Sequence, residues 1–325
     1  MKKSYLTVTD QFCGAGGSSI GATAAGAELR LALNHWDLAI QTHNSNFPNA
    51  LHDCTDISAC DPRRYPSTDI LITSPECTNH SLSKGKRRYK QPDLFGANVP
   101  DPAEERSRAT MWDVPRFAEY HRYNAIIVEN VVDARHWVTW DAWLHAMQLL
   151  GYEHQIVFFN SMFAWPTPQS RDRMYVIFWR KGNTAPELDF HPAAHCEKCQ
   201  REVASVQSWK RQKWGRYGAQ YVYRCPTCAT EVKPFYNPAS SAIDWSLPAP
   251  RIGDRDKPLK EKTMARIRAG LEKYAADFLV DIVHTPRGGD TSMVFPVSNP
   301  HRTQLGQITH ALVVQTTYDG NRARP

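Results

Sequence analysis

The first half of the chain alternates short β-rich runs with stretches of helical spacing, and this alternation constrains the fold more than any other feature. Residues 5–9 form a β-rich run that ends at Asp10 and continues into the glycine-rich turn FCGAGG and a stretch of small residues. A strand that enters a helix through such a turn is typical of the first unit of a doubly wound sheet. Further strands are predicted at residues 29–33, 69–73, 125–129, 157–160 and 174–179.

Apolar side chains recur three and four positions apart at residues 112–121 and 137–150, as expected of helices that cover a parallel sheet. We therefore predict an α/β fold with a doubly wound, mostly parallel sheet. After Arg180 the chain becomes rich in proline, glycine and alanine, and only one short helix is predicted, at 260–274. A chain of 325 residues exceeds the ~150 residues of a typical domain. We place a boundary near residue 182, which gives a first domain (1–182) and a smaller second domain (183–325).

The overall charge and hydropathy exclude few classes of protein. The net charge of +6 and the pI near 8.8 permit a nucleic-acid partner but also suit many enzymes. No apolar run approaches the ~20 residues needed to span a bilayer, and the first residues lack the apolar core of a signal peptide. We therefore expect a cytoplasmic protein that does not bind membranes.

The glycine-rich turn and two later loops are candidates for a cofactor site. Glycines let a cofactor approach the backbone, and a helix N-terminus offers N–H groups and a partial positive charge. The turn departs from the G-x-G-x-x-G pattern, so a purely structural turn remains open. Trp36 lies just past the second strand and Asp56 just past the third, where such sheets hold a ribose and an adenine. Core packing or helix capping is the alternative for each residue.

Cys77 follows the predicted strand 69–73, so it lies at the carboxyl end of a strand, where open α/β sheets place their active sites. A solitary cysteine is usually a small buried hydrophobe. Here the loop continues with polar residues and a basic run over 84–90. Nearby positive charge favours the thiolate, which is the nucleophilic form of cysteine. Cys77 is therefore a candidate nucleophile, while the basic run suits either phosphate contacts or a solvated loop.

Glu129 ends the apolar strand AIIVE, again at a carboxyl end. A carboxyl group in this position can donate a proton to a ring nitrogen, and the alternatives are a helix cap or a partner for an arginine. Arg171 and Arg173 in the motif PQSRDR are the candidate partners. We expect one of these arginines to reach a substrate while the other braces Glu129 or the sheet.

Four of the eight cysteines form two C-x-x-C pairs separated by 25 residues, which is the pattern of a four-cysteine zinc ribbon over about 193–232. His195 is expected to be a neighbour of the metal and not a ligand. The segment between the pairs interleaves basic and aromatic residues, which suits either nucleic-acid contact or a solvated hairpin that holds the ribbon together. The predicted zinc ligands are Cys196, Cys199, Cys225 and Cys228.

In collinear order from Asp10 to about Arg180, these motifs resemble the cytosine-5 DNA methyltransferase family. The resemblance implies a Rossmann-like domain that binds S-adenosylmethionine. It also implies that the Cys77 thiolate adds to carbon 6 of a flipped cytosine, that Glu129 engages ring N3, and that carbon 5 then takes the methyl group. Arg171 and Arg173 would hold the base.

The same resemblance implies a cofactor site and a set of supporting residues. Asn130, Asn160 and Gln169 occupy the family's supporting positions. Target recognition belongs to the smaller domain, so the ribbon is expected to contact DNA or to stiffen the loops that do, with Arg251 and Asp254 as structural residues. The residues implied to line the S-adenosylmethionine site are Phe12, Gly14, Ala15, Gly16, Gly17, His35, Trp36, Asp56, Ile57 and Ser74.

The sequence departs from the family pattern in three places. Glu76 and Thr78 flank the nucleophile where the family has proline and glutamine. Because a carboxylate beside a thiol would raise the pKa of that thiol, we predict that Glu76 is turned away or paired with a basic neighbour. His35 stands where the family commonly has an acidic residue on the ribose, so cofactor affinity is expected to be weaker and more pH-sensitive. The closing Gly-Asn motif is followed by no helix before Pro325, so either the sequence is cut short or another segment covers the cofactor.

The favoured function is a DNA cytosine-5 methyltransferase of bacterial or phage type that acts as a monomer on double-stranded DNA. A restriction endonuclease partner, as in restriction-modification systems, remains open. One alternative keeps the chemistry and changes the substrate to tRNA, which the altered loop around Cys77 permits. Another is a catalytically degenerate DNA-binding protein, although the presence of Cys77, Glu129 and Arg171 weighs against it.

Overall fold

A computed structural model of the protein describes most of the chain. Cys77, with the basic run that follows it, lies outside the described residues, as do Arg251 and the Gly-Asn segment near the C-terminus. The described residues are 5–76, 110–164, 167–211, 213–247, 252–274, 277–282, 293–302 and 310–313.

Contacts group the chain into two compact units, each made of several segments. The first unit comprises Met1–Phe159, Asp172–Phe190 and Trp209–Tyr221. The second comprises Asn160–Arg171, His191–Ser208 and Val222–Pro325. The predicted domain boundary near residue 182 stays a prediction.

A seven-stranded sheet with the order β3-β2-β1-β4-β5-β7-β6 forms the framework of the first unit. β1 pairs in parallel with β2 and β4, β2 with β3, and β4 with β5, whereas β5 and β7 are antiparallel. The prediction of a mostly parallel α/β sheet is therefore confirmed. The strands are β1 (Thr7–Gln11), β2 (Glu28–Asn34), β3 (Leu51–Cys54), β4 (Ile70–Thr73), β5 (Ala125–Asn130), β6 (Tyr152–Asn160) and β7 (Asp172–Arg180).

Helices pack on this sheet through apolar side chains at the predicted spacing. Val114 and Phe117 of one helix and Trp140 and Trp143 of another are all buried in the main core. The indole Nε1 of Trp143 donates to the carbonyl of Met111 at 2.8 Å, which satisfies its one buried polar group. The helices of the first unit are α1 (Gly17–Ala24), α2 (Asp37–Asn46), α3 (Asp113–His121) and α4 (Trp140–Leu149).

The end of β1 differs from the sequence prediction, which stopped this strand before Asp10. Asp10 and Gln11 continue the strand and are 1% and 0% exposed. Polar side chains normally mark the end of a buried strand because burying them without partners is costly. Here a hydrogen-bonded network described below surrounds the Asp10 side chain, so the strand continues to the glycine-rich turn.

The second unit holds short antiparallel strands. β8 (Ala193–Cys196) pairs with β9 (Arg201–Ala204) in a hairpin. A three-stranded sheet has the order β10-β11-β12, formed by β10 (Val206–Trp209), β11 (Tyr221–Arg224) and β12 (Glu231–Val232). A second three-stranded sheet, β14-β13-β15, packs with helix α5 around a small core that includes Phe278 and Val280. Its elements are α5 (Glu261–Lys273), β13 (Phe278–Asp281), β14 (Val294–Pro296) and β15 (His310–Val313).

The helix predicted over 260–274 is confirmed by α5. Within the described residues, no helix combines the length and the apolar character needed to cross a membrane.

Replacing Gly16 by alanine is expected to lower the free energy of unfolding by about 1–3 kcal/mol. Gly16 has a φ of +104°, and a Cβ at this position would lie 2.7 Å from Cε2 of Phe47. The matched control is Gly17→Ala, because nothing lies within 4 Å of a Cβ on Gly17. Urea denaturation of both variants measures the difference, and equal stabilities would contradict the strain at Gly16.

Candidate active site

The carboxyl ends of the parallel strands lie at one edge of the sheet, and the chain order reverses between β1 and β4. Ligands bind at such reversal points in open α/β sheets. The glycine-rich turn leaves β1 here, with Phe12, Gly14 and Gly16 in left-handed conformations at φ values of 58°, 53° and 104°. Phe12 is the unusual member, because a residue with a Cβ rarely adopts this conformation and it is a candidate point of strain.

The turn opens the N-terminus of α1 to a ligand. Among the described residues, no side chain caps this N-terminus. A Cβ on Gly14 or Gly17 would meet no atom within 4 Å, so the backbone of the turn is accessible at both positions. Backbone N–H groups at an uncapped helix start can bind the polar groups of a cofactor. This geometry fits the predicted cofactor site at residues 12–17, whose role stays a prediction.

Trp36 and Asp56 occupy the ends of the next two strands, as predicted. Trp36 is 59% exposed, so its indole face is open to a planar ligand. Asp56 Oδ1 accepts a hydrogen bond from the Ser58 backbone N–H at 3.0 Å, which is the capping contact considered as an alternative. Ile57 is 2% exposed and belongs to the main core, and its carbonyl accepts a hydrogen bond from the Arg116 guanidinium.

Glu76 lies next to the nucleophile position and contacts His35. Glu76 Oε1 is 3.7 Å from His35 Nδ1, with both side chains partly exposed. The prediction that Glu76 is turned away or paired with a basic neighbour stays a prediction, because this contact is an ion pair only when His35 is protonated and Cys77 lies outside the described residues. Ser74 is anchored two residues earlier, where its N–H donates to the Gln11 carbonyl at 3.3 Å. These contacts tie the loop after β4 to the loop after β2 and to β1, immediately before Cys77.

Glu129 forms a close ion pair with Arg173 at the end of β5. The Arg173 Nε lies 2.5 Å from Glu129 Oε1, and the two side chains are 14% and 21% exposed. The pair joins β5 to β7, which are antiparallel neighbours. Arg173 is thus the arginine that braces Glu129. Asn130 follows in β5, and its Nδ2 donates to the Pro75 carbonyl at 3.3 Å, which links β5 to the loop that precedes Cys77.

Arg171 belongs to the second unit, where its backbone is held by the predicted supporting residues. Its N–H donates to Asn160 Oδ1 at 3.0 Å, and Asn160 Nδ2 donates to Ser170 Oγ at the same distance. Gln169 Nε2 donates to the Arg302 carbonyl at 3.3 Å. Asn160 and Gln169 therefore hold the PQSR segment through these hydrogen bonds. Contact of Arg171 with a substrate stays a prediction.

A buried chain of polar groups under the glycine-rich turn was not found by the sequence analysis. Asp10 Oδ2 lies 2.6 Å from Ser19 Oγ, which lies 3.0 Å from His43 Nε2. His43 Nδ1 lies 2.8 Å from His52 Nε2, and His52 Nδ1 lies 3.0 Å from the Ala50 carbonyl. The only sequence signal was a carboxylate at the end of a buried strand, which does not reveal its partners.

The Ala50 carbonyl can only accept, so His52 Nδ1 is the donor of the bond between them. Burial lowers the pKa of His43 to about 4 and also lowers the pKa of His52, which keeps both rings neutral. The Ser19 hydroxyl donates to Asp10 Oδ2. Burial raises the pKa of Asp10 to about 7, and the hydrogen bonds from Ser19 act in the opposite direction.

The four predicted zinc ligands come together in the second unit. All four sulfur atoms lie within 4.8 Å of one another, and His195 is not a member of the cluster. Each C-x-x-C turn is followed by a non-glycine residue in the left-handed conformation, Gln200 at φ 51° and Ala229 at φ 58°. Tetrahedral zinc with Zn–S bonds of ~2.3 Å separates its sulfurs by about 3.8 Å. The cluster therefore has the composition and the approximate size of a four-cysteine metal site.

Comparisons with known proteins give a matching family model and several curated relatives. A family model described as C-5 cytosine-specific DNA methylase matches residues 6–231. The Type II methyltransferase M.HgiDI of Herpetosiphon aurantiacus is 30% identical over 190 residues, which are 55% of this chain and 54% of that protein. The Type II methyltransferase M.DdeI of Desulfomicrobium norvegicum is 27% identical over 183 residues, which are 53% of this chain and 40% of that protein. The chain thus spans about half or less of the length of these curated relatives.

A crystal structure of a DNMT2 mutant from Spodoptera frugiperda supports the fold. It has a TM-score of 0.50 and 16% sequence identity, and the match covers 82% of this chain and 66% of that chain.

Asp10→Asn is expected to change how stability depends on pH. The folded chain retains the Asp10 proton between the ordinary pKa of 3.8 and about 7, whereas the unfolded chain has released it. The contribution of Asp10 to stability is therefore full below about pH 4 and is lost as the pH rises to 7. The difference in unfolding free energy, wild type minus variant, should fall over this interval by at most ~4 kcal/mol, at ~1.4 kcal/mol per pH unit.

Chemical denaturation at several pH values measures this difference. His43 contributes a slope of the opposite sign, because burial lowers its pKa to about 4. A difference that stays constant from pH 4 to 7 would show that Asp10 does not titrate in this way.

Proposed function

Because the chain belongs to the C-5 cytosine-specific DNA methylase family, we propose that it methylates carbon 5 of cytosine in double-stranded DNA. The observation that carries the proposal is the Glu129–Arg173 ion pair, which orients a carboxyl group at the ligand-binding edge of the sheet. The loop that leads to Cys77 is tied to the same edge through Asn130 and Pro75. All residues assigned to the reaction lie on one chain, so a monomer suffices.

Cys77 is the nucleophile of the proposed reaction. Its thiolate forms a bond to carbon 6 of the cytosine, and the electron pair of the 5,6 double bond becomes available at carbon 5. Glu129 transfers a proton to ring N3 and so offsets the negative charge that would develop on the ring, and Arg173 stabilises the carboxylate that remains. After methyl transfer, a water molecule acting as base takes the proton from carbon 5, the thiolate leaves carbon 6 as the double bond is restored, and N3 returns its proton to Glu129. The target base must leave the duplex for carbon 6 to reach Cys77.

Bound S-adenosylmethionine supplies an electrophilic methyl group. The glycine-rich turn and the start of α1 would bind its polar end, with Phe12 and Ser74 as further lining residues. Trp36, whose indole is exposed, would stack on its base. His35 would hydrogen-bond the ribose hydroxyls, and its contact with Glu76 places a carboxylate beside it.

The four-cysteine cluster is proposed to bind one structural zinc ion. The support is the gathering of four thiols from two separate C-x-x-C turns within 4.8 Å. The reducing cytoplasm expected for this chain would keep such thiols reduced, which favours metal ligation over disulfides. Zinc would join the β8–β9 hairpin to the turn after β11, in a unit whose strands are short and whose apolar core is small.

The test of the activity is incubation with S-adenosylmethionine and either duplex DNA or tRNA, followed by mass spectrometry of the nucleosides. We expect 5-methylcytosine in the DNA and none in the tRNA. Cys77→Ser should lower product below detection because the serine hydroxyl is a far weaker nucleophile than a thiolate. Cys54→Ser is the matched control, since Cys54 is an exposed cysteine at a strand end and has no assigned role.

If 5-methylcytosine formed in tRNA and not in DNA, the substrate would be RNA and the proposal of a DNA substrate would be wrong. Continued turnover of the Cys77→Ser variant would remove Cys77 as the nucleophile. Binding of S-adenosylmethionine without any methylated product would contradict methyl transfer to nucleic acid.

Zinc is expected at one equivalent per chain when the protein is purified without chelators. Chelation or Cys199→Ser should remove the metal and lower the melting temperature, because the second unit would lose its main cross-link. Elemental analysis and thermal unfolding provide the measurements, with Cys54→Ser again as the control. Protein that contains no zinc and does not respond to chelators would contradict the metal site.

A further inference from the structure

The segment Trp209–Tyr221, which joins β10 to β11 between the two C-x-x-C pairs, groups with the first unit. We call it the clamp segment. Trp209 packs edge-on against Phe158 at 5.8 Å between ring centroids, and Trp214 packs edge-on against His136 at 4.6 Å. Both tryptophans lie against the main core. These aromatic residues therefore anchor the clamp segment to the body that carries Glu129.

Internal contacts hold the clamp segment in one conformation. Lys210 Nζ donates to the Gly218 carbonyl at 2.5 Å, and the Lys210 N–H donates to the Gln220 carbonyl at 2.9 Å. Gln220 Oε1 accepts from the Arg216 N–H at 2.8 Å. A segment closed on itself in this way can hold the residues at its tip in fixed positions.

Two adjacent residues of the clamp segment contact the chain on either side of the Glu129–Arg173 pair. The Arg216 Nη2 lies 2.6 Å from Asp133 Oδ2, and Asp133 lies in the short helical turn that begins three residues after Glu129. The Tyr217 N–H donates to Asp172 Oδ1 at 3.0 Å. Asp172 directly precedes Arg173, and its carbonyl accepts from Arg173 Nη1 at 2.8 Å.

We propose that the clamp segment positions the Glu129–Arg173 pair, with Arg216 as the positioning residue. The inference rests on the proposed function, because it assigns a catalytic purpose to the orientation of Glu129. Arg216 restrains the turn after β5, and Tyr217 restrains the start of β7. The clamp segment thus restrains β5 and β7 in addition to the backbone hydrogen bonds between these two strands. A displacement of about 1 Å at a reacting group can cost ~10²-fold in rate, so such a restraint matters for turnover.

The experiment compares Arg216→Gln, Asp133→Asn and the exchanged pair Arg216→Asp with Asp133→Arg. Each single variant is expected to lower kcat by about 10- to 100-fold, while KM for DNA and the dissociation constant of S-adenosylmethionine change by less than about threefold. The exchanged pair should recover part of kcat. Arg63→Gln is the matched control, because it breaks an exposed ion pair with Asp61 that has the same 2.6 Å separation.

A rise in KM for DNA with kcat unchanged in Arg216→Gln would make Arg216 a phosphate contact and overturn the proposal. Loss of kcat in Arg216→Gln without loss in Asp133→Asn would also overturn it, because the two residues act through one contact. Unchanged kinetics in both variants would do the same.

Hydrogen exchange separates a failure of this proposal from a failure of the proposed function, because it needs no turnover. Arg216→Gln should speed exchange in peptides that cover 129–136 and 172–175, relative to wild type and Arg63→Gln. If the wild type methylates nothing, the proposed function fails while exchange still tests the clamp contact. Unchanged exchange in these peptides would overturn the clamp whatever the activity.

Discussion

The parallel pairing of β1 with β2 on one side and β4 on the other is the constraint on which the candidate site depends. Parallel strands share a direction, so the loops that follow them emerge at one edge without any further device. The glycine-rich turn, His35 and Glu76 come from the three loops at this edge. The contact between His35 and Glu76 closes over the position of β1 and brings together residues that are 41 positions apart in the sequence.

The antiparallel strand β7 supplies the arginine that pairs with Glu129. It places Arg173 beside Glu129 on the neighbouring strand, where a short ion pair fixes the direction of the carboxyl group. Both side chains are largely removed from water, so the charge on each stabilises the other more than it would on the surface. The loops of the parallel strands therefore supply the candidate cofactor contacts, and the antiparallel pair supplies the oriented acid.

Local signals explain why most of the framework was predictable from the sequence. Short apolar runs rich in β-branched and aromatic residues, such as AIIVE and MYVIFW, favour strands of a covered sheet, and the spacing of the two C-x-x-C pairs indicates a metal cluster. The predicted end of β1 was wrong because a hydrogen bond from a residue in another element of the fold allows a polar side chain to be buried. The predicted strand stopped before Asp10, whereas β1 continues to Gln11, and the buried Asp10 carboxyl group is held by a hydrogen bond from Ser19.

The ion pair between Arg216 and Asp133 was also not predictable from the sequence, because it depends on contacts between distant parts of the chain. Arg216 is one of several basic residues between the cysteine pairs, and nothing in its local sequence distinguishes it from a residue that contacts phosphate. Arg216 lies beside Asp133 because Trp209 and Trp214 pack against the main core, and the sequence pattern does not reveal this packing.

The 83 positions between Asp133 and Arg216 have a consequence for synthesis of the chain on the ribosome. At roughly 5–20 residues per second, about 4–17 s pass between the appearance of the two residues. By the end of this interval β1 to β7 have all been synthesised, but the turn after β5 has had no partner from the clamp segment. A nascent chain that ends before Arg216 would therefore contain all seven strands of the sheet. It would lack the contact between Arg216 and Asp133 that restrains the turn after Glu129.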